Sequence, residues 1–228
     1  MKNNQDFKNA ALAALKGNWG QAVLATVLFI LVAMLIAGPM SFYSASMNVA
    51  PNATPAEAMS ILANASGMSS GTLLLEIFLL LPIEVAFANA FRKLLVAGNN
   101  NIARNIFDFS NYWRKVGGMV LVGLLTFAWS LLFIVPGIIK SFSYAMTKYI
   151  LDENPELSPS EAIHRSRMMM KGHKFDLFWL YLSFIGWFLL ACLSAGIGFL
   201  WLAPYIQTSE AAFYEEVKAD YALNGGLD

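Results

Sequence analysis

The chain alternates between long apolar stretches and short polar connections. Charged residues are absent from 17 to 56, from 116 to 139 and from 177 to 209. A fourth apolar stretch, 73 to 97, is interrupted by Glu76, Glu84, Arg92 and Lys93. Each is long enough to cross about 30 Å of hydrocarbon, which takes about 20 helical residues. The pattern predicts a first membrane helix over 19–37, stopped by Gly38-Pro39, and a second over 73–95 with a kink at Pro82. The intervening 40–72, rich in Ser, Ala and Asn and holding Pro51 and Pro55, reads as an external loop. The two remaining stretches are too long for single helices, since 177–209 would measure about 50 Å at 1.5 Å per residue. Each contains a breaker: Pro136-Gly137 divides 117–135 from 138–151, and Gly196-Ile197-Gly198 divides 175–193 from 199–217. Both breakers are expected to be tight external turns.

Composition points the same way. The chain is 57% hydrophobic and 13% charged, against about 25% charged in soluble domains. Fifteen Lys and Arg balance fifteen Asp and Glu, so no broad basic face for nucleic acid is expected. Lys and Arg nonetheless cluster: Lys2, Lys8 and Lys16, then Arg92, Lys93, Arg104, Arg114 and Lys115, then Arg165, Arg167, Lys171 and Lys174, with none in 40–72. Because positive loops stay in the cytoplasm, the expectation is an all-α integral membrane protein of about six transmembrane helices in three hairpins, both termini cytoplasmic. The whole chain, 1–228, is then one polytopic domain with cytoplasmic segments 1–18, 98–116 and 152–174. The alternative is four spans, with 138–151 and 199–217 lying in or re-entering the membrane.

Three cytoplasmic pieces look amphipathic. Phe7, Ala11, Leu12 and Leu15 share one helical face, and so do Ile102, Ile106, Phe109 and Trp113, as expected of helices lying on a membrane surface. Ser158-Pro159-Ser160-Glu161 has the form of an N-cap, a Pro at the first helical position and a capping-box Glu, opening a helix that should end at Gly172.

Several local motifs go together: Leu15-Lys16-Gly17-Asn18-Trp19, Asn111-Tyr112-Trp113-Arg114-Lys115, Pro136 to Ser141, Met170-Lys171-Gly172-His173-Lys174, and Gly196-Ile197-Gly198 through Pro204-Tyr205. In this combination the chain resembles the bacterial membrane-protein family catalogued as domain of unknown function 975. The likeness runs over nearly the whole chain except 40–72. It implies an integral protein of the bacterial cytoplasmic membrane, and it brings no activity, cofactor or catalytic residue with it.

Chemical motifs are sparse. The sequence contains no G-x-S-x-G elbow, Walker loop, H-E-x-x-H or Cys-x-x-Cys. The one cysteine, Cys192, reads as a small buried hydrophobe. His164 and His173 lie nine residues apart, a spacing that puts no two ligands on one helical face, so no metal and no cofactor are expected. Arg165, Arg167, Lys171 and Lys174 are placed to meet anionic lipid headgroups.

More informative are ionisable residues within the spans, which are costly unless paired or hydrated. Lys140, Tyr144 and Lys148 fall on one side of helix 138–151, and Gln207 and Glu210 on one side of 199–217. With Glu84 they would line a polar intramembrane groove. Glu76 and Glu84 share the eight-residue spacing of Lys140 and Lys148, which suggests a Glu84–Lys148 pair. The resulting expectation is a non-enzymatic protein binding membrane lipids, a membrane-protein partner or a second copy of itself. Alternatives are a transporter of a small solute or protons and, third, a lipid-modifying enzyme, for which Asp152, Glu153, His164 and His173 are the available reactive groups.

Overall fold

The computed structural model describes residues 2–46 and 76–223, and every regular element among them is helical. In chain order these are α1 (Asn4–Leu15), α2 (Trp19–Ser46), a π-helical turn (Glu76–Leu80) running into α3 (Leu81–Ala97), the single turn α4 (Ile102–Asn105), α5 (Tyr112–Leu132), α6 (Ile134–Tyr144), α7 (Thr147–Glu153), α8 (Pro159–Met169), α9 (Lys174–Leu182), α10 (Ile185–Leu193) and α11 (Phe199–Leu223). Three segments are long and apolar enough to cross a membrane: Trp19–Ile36, Tyr112–Leu131 and Lys174–Leu193. Only 17%, 17% and 22% of these segments is buried, so most of their apolar surface points outward. Cys192 is exposed in the third, among exposed Leu189, Leu190 and Leu193, and is not the buried side chain its apolar surroundings suggested.

The centre belongs to α11. It packs on α1, α2 and α3 and also touches α8, α9 and α10. Its middle is polar yet buried at Thr208, Ser209 and Glu210. The two hydroxyls return to their own helix, at Pro204 O (2.7 Å) and Tyr205 O (2.8 Å), and so need no outside partner. Against α11 lies α1, whose capping box at Asn3 and Asp6 fixes its start. Phe7, Ala11 and Leu15 are at most 2% exposed, and Phe7 meets the Phe213 ring edge-on at 5.5 Å. Three of the four residues expected to rest on a membrane surface are therefore covered by protein, chiefly α11 and α3, while Leu12 stays 42% exposed. The second amphipathic segment also changes. Its helix stops after one turn, where Asp108 accepts from the Ser110 amide (3.1 Å) and Asn111 takes a left-handed conformation. Ile102 and Ile106 are buried in a cluster with Leu15, Ala22, Phe87 and Phe91, whereas Phe109 and Trp113 are exposed.

Helix ends and breaks show how local chemistry meets the tertiary structure. The capping box at Ser158 and Glu161 forms as the sequence suggests, and α8 stops before Gly172, whose φ is 96°. The first apolar helix runs through Gly38-Pro39 to Ser46, a continuation that membrane-type helices tolerate at proline. Positions 40–46 of the expected loop are thus helical, and 47–72 lie outside the described residues. The break after α5 falls at extended Phe133. Pro136-Gly137 sits in the first turn of α6, where proline's missing N–H costs nothing. The helix expected over 138–151 is divided at Ala145-Met146. Backbone carbonyls flanking this break are taken by side chains from elsewhere: Ser143 O by Ser166 Oγ (3.0 Å) and Lys148 O by Asn89 Nδ2 (2.9 Å). A similar break separates α9 from α10, where Lys8 Nζ donates to Ser183 O at 2.8 Å and lies 4.4 Å from the Phe184 ring centre. The expected turn at 196–198 is present as Ser194–Gly198.

Close packing explains two glycines. A Cβ at Gly137 would fall 2.9 Å from Ser130 Cα, and one at Gly198 would fall 2.7 Å from Ala191 Cα. Gly123 has nothing within 4 Å of the same position. Gly198→Ala is therefore expected to lose about 1–3 kcal/mol by overpacking, while Gly123→Ala gains up to about 1 kcal/mol from helix propensity. Thermal unfolding in detergent checks the pair, and equal effects of the two substitutions would contradict the close approach.

Candidate functional site

Lys148 and Asp152 are four residues apart on the short helix α7, which places both on one face. Next to Asp152, Glu153 ends the helix. These three side chains meet α3, α5 and α11. Lys115, fully buried at the start of α5, reaches Asp152 at 2.7 Å. Lys93 bridges Asp152 (3.3 Å) and Asp108 (2.9 Å). Arg92 pairs with Glu215 (3.1 Å) and Glu153 (3.6 Å). Lys218 also pairs with Glu153, to which the Tyr214 hydroxyl donates at 2.5 Å. Lys148 meets Glu210 at 2.8 Å, their side chains 13% and 3% exposed.

The set is matched in charge. Arg92, Lys93, Lys115, Lys148 and Lys218 face Asp108, Asp152, Glu153, Glu210 and Glu215, five positive against five negative. Matching is required because an isolated ion in a low-dielectric interior is prohibitively costly. Neutral groups complete the packing. Tyr149 and Tyr214 stack at 4.8 Å, and Asn89 joins α3 to α7 through Lys148 O. Arg114 caps α7, donating to Asn154 O (2.8 Å), Leu157 O (2.6 Å) and Leu151 O. Burial pushes the Asp108 carboxyl up, but hydrogen bonds from Lys93 and Ser110 outweigh it and hold the group well below the usual carboxylate range. Glu153 is likewise raised by burial and lowered further by Lys218, Tyr214 and Arg92, with a net downward shift.

Of the residues expected to line a polar groove, Lys148 and Glu210 come together. Tyr144 is buried at 5% exposure, and Gln207 Oε1 is buried without a hydrogen-bond partner. Glu84 is exposed in the first turn of α3, so the acidic partner of Lys148 is Glu210. Helix α3 still neighbours α7, but it contributes Asn89, Arg92 and Lys93. Lys140 lies 4.4 Å from the Trp129 ring centre. The break at Ala145-Met146 removes the common face that a continuous helix would have given Lys140 and Lys148.

The four basic residues assigned to lipid headgroups separate. Arg165 donates to Asn154 Oδ1 (3.3 Å) beside a cavity of about 380 Å³ that also has Glu153 and Lys218 in its walls. Arg167 is exposed. Lys171 and Lys174 border a different, apolar groove between α6 and α9. Of the two histidines, His164 is exposed, and His173 lies between Asp176 (3.4 Å) and Asp220 (3.1 Å).

Reading Arg92, Lys93 and Lys115 as topogenic loop charges hid their ion pairs, and Asp152 and Glu153 stood out only as spare reactive groups. The available signal was the four-residue spacing of Lys148 with Asp152 and of Glu210, Tyr214 and Lys218, which puts each set on one helical face.

Among the described residues, fold and site together define an all-helical protein with three helices long and apolar enough to cross a membrane, joined by matched ion pairs. The sequence model of the family described as Protein of unknown function (DUF975) matches residues 72–221, and the chain belongs to that family. All ten members of the ion-paired set fall inside the match; α1 and α2 fall outside it. No curated protein and no solved structure matches the chain.

Two outcomes follow from the geometry. Asp152→Asn leaves buried Lys115 without its carboxylate and should cost about 3–5 kcal/mol, whereas Lys115→Met leaves Asp152 still paired with Lys93 and should cost less; urea or detergent unfolding of both variants measures the asymmetry. The depressed Asp108 and Glu153 carboxyls contribute stability above their unfolded values near pH 4 and lose it as pH falls through their lower folded values. The melting temperature should then be level from about pH 7 to 5 and fall below about pH 4. A rise on acidification would contradict the pairing.

Proposed function

We propose that this is a multi-pass integral protein of the bacterial cytoplasmic membrane with both termini inside, and that it acts by binding lipid or a membrane partner and not by catalysis. The observation that carries this reading is the division of labour among the helices. The three apolar segments turn their surfaces outward, while the charges of α3, α6–α7 and α11, apart from exposed Glu84, are paired within the bundle or set against an aromatic ring, as charges near hydrocarbon require. A polar helix can cross a bilayer when its neighbours shield it. Three of the four reactive groups available to an enzyme are engaged, Asp152 and Glu153 in ion pairs and His173 between two aspartates, while His164 is exposed.

A second reading, a pathway for protons or a small solute, draws on Gln207 Oε1 and the Tyr149 hydroxyl, both buried without a hydrogen-bond partner on the elements that carry Lys148 and Glu210.

Topology is tested by single cysteines in a Cys192→Ser background: Pro55→Cys should be labelled from outside by an impermeant maleimide, and Asn100→Cys, Ser160→Cys and Asn224→Cys only after the membrane is opened. External labelling at 160 would contradict a multi-pass topology with inner termini. Binding is tested by native mass spectrometry of protein extracted with its surrounding membrane, where a retained lipid or partner mass is expected. A bare monomer that neither gains mass nor loses stability on complete delipidation would contradict the binding role.

A further inference from the structure

Two apolar grooves of nearly equal size open on the surface, about 460 and 450 Å³ in volume. The larger has Trp187, Trp201 and Leu202 in its wall and no charged side chain. The other is walled by Ile138 and Phe142 of α6 and by Phe175 and Phe178 of α9, and two cations, Lys171 and Lys174, belong to its rim. Its walls are open to the surroundings: Ile138 is 51% exposed and Phe175 75%. Lysines of the buried set each have a carboxylate, but among the described residues Lys171 and Lys174 have none. The nearby acids Asp176 and Asp220 are both engaged by His173. A negative charge at this rim would thus meet two cations without competing for an existing ion pair, and an alkyl chain attached to it would find an apolar channel directly beneath.

Resting on the lipid-binding reading above, we infer that the groove between α6 and α9 is a site for one acidic glycerophospholipid, with the phosphate at Lys171 and Lys174 and an acyl chain against Phe142, Phe175 and Phe178. Topogenic lysines alone require no adjoining groove. A groove alone, like the tryptophan-lined one, has no reason to prefer an acidic headgroup. The combination provides both the chain contact and the headgroup preference, with each lysine near a membrane surface contributing about 1 kcal/mol, equivalent to roughly fivefold in affinity.

The experiment titrates the delipidated full chain in a zwitterionic detergent with dioleoyl phosphatidylglycerol, with dioleoyl phosphatidylcholine, or with inorganic phosphate, and reads bound mass by native mass spectrometry. Phosphatidylglycerol should half-saturate one site at a concentration roughly twentyfold below phosphatidylcholine. Lys171→Gln with Lys174→Gln should abolish that preference while weak binding of both lipids remains, and Lys171→Arg with Lys174→Arg should keep it, which controls for folding. Phe175→Asn should weaken both lipids. Phosphate binding as tightly as phosphatidylglycerol would overturn the site in favour of a bare anion site. An undiminished preference in the glutamine variant, with lipid still bound, would overturn this site and leave the lipid-binding reading intact, whereas no lipid binding to any variant or to the parent chain would overturn both.

Discussion

A charge taken out of water must find its opposite within hydrogen-bonding reach, and this requirement organises the structure around α7. That helix has seven residues, far too few to persist alone. It is held because its carboxylates receive Lys93, Lys115, Arg92 and Lys218, its lysine receives Glu210, and its last carbonyls receive Arg114. These partners come two from each of three helices: Arg92 and Lys93 from α3, Arg114 and Lys115 from α5, and Glu210 and Lys218 from α11. The ion pairs therefore fix how α3, α5 and α11 sit against one another, and the apolar clusters fill the space those positions leave.

Much of this organisation was legible in the sequence. The charge-free stretches located the three apolar segments, with Trp19 opening the first and the third ending at Leu193 as expected. The capping box at Ser158 was visible because it depends only on neighbouring residues. Breaks at Ala145-Met146 and Ser183-Phe184 were invisible because no Gly or Pro marks them. They exist where side chains distant in sequence, Ser166, Asn89 and Lys8, take up carbonyls along the interrupted helices. Amphipathicity revealed the apolar face of α1 but not its cover, since a membrane surface and α11 select the same residues. The charges were the hardest to read. A lysine kept inside by topology and a lysine kept inside by an aspartate look alike in one dimension, so Lys115 passed for the former and Glu84 was paired with Lys148 on spacing alone.

The paired interior also shapes the functional reading. Asp152, Glu153 and His173 are engaged by neighbouring charges, and what remains open lies at the surface: His164 and Cys192, broad apolar faces on the three membrane-compatible segments, the two grooves, and the cations at the rim of one of them. On the lipid-binding reading proposed above, these features would serve recognition of amphiphiles. The buried charges would hold the scaffold against which such recognition occurs.

The central claim, that the interior is stabilised as a charge-matched set, is tested most directly at the enclosed pair that joins α7 to α11. In a double-mutant cycle by equilibrium unfolding in mixed micelles, Lys148→Met and Glu210→Gln should each destabilise by about 3–5 kcal/mol, and the double variant should recover at least about half of the summed loss. Losses that simply add would mean that the two side chains do not interact and that the interior is held by apolar packing alone.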